Sequence, residues 1–115
     1  EWGVVILVAA AVIIGVIMSE FASNTASAAI IVPVLISVLG DPGFESVSIV
    51  LVVMACAFGA SYGFMLPVST PPNAIVYGTG RVEVRDMITT GILFDLSGAA
   101  LIISSTLLLN HLGVL

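Results

Sequence analysis

The chain alternates apolar runs with short polar strings, and the strings mark where its helices must end or break. Gly3 to Met18 is an apolar run of about 16 residues, ~24 Å as a helix. That is short for a hydrocarbon core of about 30 Å. Glu20 and Ser23-Asn24-Thr25 end the run. Ala26 to Leu39 is a second run of about 14 residues, a length that suits a re-entrant limb better than a full span. Gly40-Asp41-Pro42-Gly43 then makes a turn. The pattern predicts a helical hairpin over residues 1–40, with two limbs meeting at a polar tip and entering and leaving on one side. The alternative is two tilted spans joined by a polar loop. The short second limb and Pro33 within it favour the hairpin.

Residues 44–80 are too long for one span and are broken in the middle. Ser46 to Phe58 reads as a helix, and Gly59, Ser61 and Gly63 loosen it. Pro67, Pro71 and Pro72 stop it, because proline lacks the N–H and clashes with the preceding turn. Asn73 is placed to cap a second half-helix, Ala74 to Gly78. Gly59-x-x-x-Gly63 reads as a close-packing motif. Backbone groups freed at such a break must face protein, water, an ion or a substrate. Arg81-Val-Glu-Val-Arg85-Asp86 is the basic loop, and the positive-inside rule puts it in the cytoplasm. The 41–45 turn is then outside. Residues 87–110, apolar from Met87 to Leu109, form the last transmembrane helix and return the C terminus to the outside.

Composition fixes the solvent. Of 115 residues, 60% are hydrophobic and 8% charged, with a mean hydropathy of +1.31. A soluble domain carries roughly 25% charged residues. The expectation is an all-α membrane protein, multi-pass in the cell membrane. Two Lys+Arg in the whole chain argue against nucleic-acid binding. The net charge of −5 says little about partners, because the acids sit mostly at segment ends. Cys56 is the single cysteine, so no intrachain disulfide and no cysteine metal site is expected. There is no paired-carboxylate site, metal cluster or nucleophile with a base, so neither an enzyme nor a cofactor is expected. The chain begins at Glu1, without an initiator Met or signal peptide, and starts and stops within apolar sequence. It is expected to be a piece from the C-terminal end of a larger transporter, and no repeat is visible within it.

The polar strings carry the candidate chemistry. Ser23, Asn24 and Thr25 offer hydroxyls, an amide and free helix-terminal N–H groups, which suit a carboxylate or another oxyanion. The start of the Ala26–Leu39 helix adds about half a positive charge. The end of the first helix and the Ser69-Thr70-Pro71 backbone offer carbonyl oxygens. Neutral oxygens suit a hard monovalent cation such as sodium, whereas magnesium or calcium wants more formal charge. Ion-coupled anion uptake is therefore expected. A channel and a purely structural membrane module are the competing classes, and an N-cap is the bland reading of Ser-Asn-Thr. Glu20 either tunes the ion site or pairs structurally, with structure favoured. Asp95 lies roughly 10 Å deep in the last span by helix rise. A charge there is costly, so it is expected against a polar partner, with a proton-coupling role open. Trp2 and His111 fit interfacial positions.

Ser19-Glu20-Phe21-Ala22-Ser23-Asn24-Thr25-Ala26, together with Phe64-Met65-Leu66-Pro67-Val68-Ser69-Thr70-Pro71-Pro72-Asn73-Ala74-Ile75-Val76, resembles the C-terminal half of the divalent anion/sodium symporter family. These are sodium-coupled dicarboxylate, citrate and sulfate transporters, and the resemblance covers essentially the whole chain. It implies part of a transport domain over residues 1–115: a re-entrant hairpin, a discontinuous helix and a last transmembrane helix, forming the second inverted repeat of an elevator-type transporter. It implies a homodimer through a scaffold domain outside this chain. By position, Ser23, Asn24, Thr25, Thr70 and Pro71 would contact the substrate. Ser19, Ala22, Asn24, Ser69 and Pro71 would hold sodium, chiefly through main-chain carbonyls. Many relatives have Thr where Ser19 stands, Ala at Ser69 and an amide at Asp95. The implied function is import of divalent anions with sodium, C4-dicarboxylates first. Sulfate or citrate carriage, or an arsenite-type or sodium–proton exchanger of related architecture, is the alternative.

Overall fold

A computed structural model describes residues 2–115; Glu1 lies outside them. Five helices follow in order: α1 (Trp2–Phe21), α2 (Asn24–Leu39), α3 (Ile49–Gly59), α4 (Pro71–Gly78) and α5 (Val84–His111). The described residues contain no strand. They form an elongated body, 50 × 24 × 19 Å.

The first helix does not stop where its apolar run stops. It continues through Ser19 and Glu20 to Phe21, 20 residues in all, or ~30 Å by helix rise. Both polar side chains are buried, so they extend the helix by facing protein. By length and composition α1 and α5 are each sufficient to cross a membrane. α2 has 16 residues and includes Pro33 in its interior. The expected break in 44–80 occupies residues 60–70, between α3 and α4. Ser48 caps α3 by accepting the Leu51 N–H at 3.3 Å. The last helix starts three residues earlier than its apolar run, at Val84 after the Glu83 N-cap. Exposed Trp2 opens α1 and exposed His111 closes α5.

The core lies where α1 crosses α3. Val8, Ala11, Val12 and Val16 of α1 meet Leu51, Val52, Ala55 and Cys56 of α3. Ile31 and Leu39 of α2 and Ile102 of α5 close over this pair. The outer faces stay apolar: Ile6, Ile13 and Ile17 of α1 and Leu93, Leu96 and Leu101 of α5 are exposed.

Two glycines set the crossing distance. A Cβ on Gly15 would lie 2.5 Å from the Cys56 carbonyl oxygen, and one on Gly59 would lie 2.5 Å from that of Val12. Both obstacles are backbone, so neither can rotate away. Gly63, the partner of Gly59 in the small-residue motif, meets Ser19 one turn beyond Gly15, with its would-be Cβ 3.0 Å from the Ser19 carbonyl oxygen. Gly15→Ala and Gly59→Ala are each expected to lower stability by about 1–3 kcal/mol through overpacking. Gly3→Ala, with open space around it, is expected to change little. Thermal unfolding of the full-length protein in detergent checks this contrast.

Candidate functional site

The tip between α1 and α2 is two residues long. Ser23 is extended (φ −61°, ψ 148°) and caps α2, its hydroxyl accepting the Ala26 N–H at 3.2 Å. Asn24 opens the helix, and its side chain points back toward α1 and the break. The Ser19 hydroxyl donates to Asn24 Oδ1 at 2.5 Å, and Asn24 Nδ2 donates to the Ser61 carbonyl at 3.1 Å. One half-buried amide therefore joins α1, the tip and the break. Ser23 and Thr25 are exposed. Ser27, one turn further on, is fully buried, and its hydroxyl has no hydrogen-bond partner among the described residues.

The break is held by side chains from three helices. Glu20 of α1 accepts the Met65 N–H on both carboxylate oxygens at 3.1 Å and the Leu66 N–H on Oε2 at 2.8 Å. Asp95 of α5 accepts the Phe64 N–H at 3.2 Å. Asn73 of α4 donates through Nδ2 to the carbonyls of Phe64 (3.1 Å) and Leu66 (3.0 Å) and to Ser69 Oγ (3.2 Å). Ser69 is buried, and its hydroxyl donates to the Leu66 carbonyl at 2.6 Å. Gly91 lets this backbone lie directly on α5, because a Cβ there would come within 2.6 Å of the Phe64 carbonyl. Rings complete the junction: Tyr62 covers Gly98 and meets Phe64 edge-on at 5.6 Å.

The sequence placed the cap of α4 at Asn73, and the structure corrects this. Thr70 is the N-cap, accepting the Asn73 N–H at 3.3 Å, and Pro71 and Pro72 occupy the first turn. Proline suits that turn because its missing N–H would be unsatisfied there anyway. Asn73 is thereby freed to reach back to the break.

The candidate residues fall into two groups. Ser19, Ala22, Ser23, Asn24 and Thr25 surround the tip; Ser69, Thr70 and Pro71 surround the start of α4. No hydrogen bond among the described residues joins one group to the other directly. The connection runs through Ser61, bound to Asn24, and through Glu20, bound to residues 65 and 66. Sequence reasoning gave Asn73 the role of a cap rather than of a donor to the break, and left Glu20 and Asp95 without named partners. The available signal was their polarity within apolar surroundings.

Chemically, the two groups present hydroxyls, one amide and main-chain oxygens. No cluster of three His, Cys, Asp or Glu side chains occurs among the described residues. Neutral oxygens near a broken helix suit a small ion held by dipoles rather than by a carboxylate cage.

An all-helical chain with two apolar helices of spanning length and polar residues gathered at a helix break has the architecture of a membrane-transporter segment. The family can be named as well. Residues 1–114 match the sodium:sulfate symporter transmembrane region, and the chain belongs to that family, which places it in a membrane. It is 46% identical over 91 residues to an uncharacterized transporter of Haemophilus influenzae, covering 79% of this chain and 18% of that protein. It is 43% identical over 84 residues to the Na(+)/dicarboxylate cotransporter 3 of Mus musculus, covering 73% of this chain and 14% of the relative. Against the Na(+)/citrate cotransporter of Rattus norvegicus it is 38% identical over 82 residues, covering 71% and 14%. The matches thus span less than a fifth of the length of these relatives.

Asn73→Ala removes the donor that gathers three oxygens of the break and is expected to cost about 1–3 kcal/mol. Asn73→Asp keeps the size but offers no N–H, and is expected to be as damaging. Comparing the two variants by thermal unfolding separates lost donors from lost volume.

Proposed function

We propose that this chain is part of a sodium-coupled secondary transporter that imports divalent anions, C4-dicarboxylates first among them. The observation that carries this reading is the Asn24 side chain, bonded at once to Ser19 and to the Ser61 carbonyl. In the proposal Asn24 serves both ligands. Ser19, Ala22, Asn24, Ser69 and Pro71 hold sodium, chiefly through main-chain carbonyls, and Ser23, Asn24, Thr25, Thr70 and Pro71 contact the anion. Sodium orders the tip and completes the anion site, so each ligand raises the affinity for the other. No covalent step is involved. α1 and α2 are the limbs of a re-entrant hairpin and α3–α4 the discontinuous helix, within a transport domain that moves against a scaffold in a homodimer.

The name of the mouse relative supports a dicarboxylate, and that of the rat relative supports citrate as the second reading. Succinate uptake by the full-length protein in proteoliposomes is expected to require an inward sodium gradient and to vanish when potassium replaces sodium. Excess citrate that blocks this uptake more strongly than succinate itself would favour the citrate reading. Asn24→Ala is expected to abolish both sodium binding and substrate binding. Sodium-dependent succinate binding retained in that variant would refute the shared role of Asn24.

A further inference from the structure

The break presents three consecutive amides, those of Phe64, Met65 and Leu66, to two carboxyl groups. Pro67 ends the run because it has no N–H. Glu20 and Asp95 come from different helices and are 1% and 3% exposed. Their carboxyl groups accept from the adjacent amides of Phe64 and Met65, which sets the two acids side by side. The donors fall one short of the acceptors. Both Glu20 oxygens and Asp95 Oδ1 receive an amide proton, while Asp95 Oδ2 is buried with no donor among the described residues.

Among the described residues, none beside the pair supplies a compensating positive charge. Arg81, Arg85 and His111 are exposed at the two ends of α5. The other titratable groups on the packed elements are acids or neutral. Asp86 is exposed about two and a half turns before Asp95, Tyr62 lies on the break, and Cys56 is buried in α3. Two adjacent carboxylates without a cation repel, and an ionised oxygen with no donor is costly to bury.

We propose that Asp95 is a neutral carboxylic acid that donates the proton on Oδ2 to Glu20, completing a clamp that positions the break. The arrangement satisfies the orphan oxygen and leaves a single negative charge, shared with three amide dipoles. Asp95 is then a positioning residue: it acts on the candidate site through amides 64–66, which precede Ser69, Thr70 and Pro71. A side-chain amide at position 95 would do the same work, with its carbonyl accepting from Phe64 and its N–H donating to Glu20.

The test does not depend on the transported anion. Infrared spectra of the full-length protein in detergent are expected to contain a protonated carboxylic acid C=O band that is lost in Asp95→Asn. Glu20→Gln is expected to lose the same band although Asp95 is present, because the Gln N–H then supplies the missing donor. Asp95→Asn is expected to keep the wild-type melting temperature, and Asp95→Leu, of similar size without a donor, to lower it. A band that persists in Asp95→Asn overturns the proposal. So does an Asp95→Asn protein that fails to fold or melts with Asp95→Leu.

Discussion

Everything at the candidate site depends on how the amides of a broken helix are satisfied away from water. A continuous helix pairs its own backbone; at the break the amides of Phe64, Met65 and Leu66 turn to side chains instead. In a membrane each unpaired group costs several kcal/mol. The molecule answers with side chains brought from other helices: Glu20 from α1, Asn73 from α4 and Asp95 from α5. A charge-assisted bond from a carboxylate to backbone N–H is about twice as strong as a neutral one. That makes a buried acid a suitable anchor for an irregular segment, even where burying the acid is itself unfavourable.

The anchor works only because backbones approach closely. Apolar side chains in a bilayer gain little from leaving lipid, so helix association relies on packing. Gly15 and Gly59 bring α1 and α3 together, Gly63 admits Ser19, and Gly91 seats the break on α5. These contacts lie along one side of α1 and at the break itself. Without that approach Glu20 would not reach residues 65 and 66. The glycines and the acids are two halves of one arrangement, the first setting distance and the second using it.

Much of this was legible in the sequence, and what was not has physical causes. Apolar runs and proline positions located all five helices to within a few residues, and the small-residue motif at Gly59 marked a contact surface. Helix ends were less legible. Glu20 looked like a terminator because it is polar, yet it has protein partners, and a satisfied polar group does not end a helix. The cap of α4 was misplaced because Thr70 and Asn73 are both capable caps, and only the position of Pro71 and Pro72 decides between them. The partners of Glu20 and Asp95 are 45 and 31 residues away, across elements whose packing no local pattern specifies. The ligand assignments at Ser69 and Thr70 rest on resemblance, since in the structure both side chains serve the local turn.

The placement of these contacts on α1 has a mechanical consequence. Between Val8 and Glu20 this one helix holds the core of α3, the tip amide and the backbone of the break. α1, α3 and the break are therefore tied together at several heights along α1. α2 buries only three residues and α4 none. Among the described residues these two short helices, starting after the caps Ser23 and Thr70, are the elements least tied to the rest.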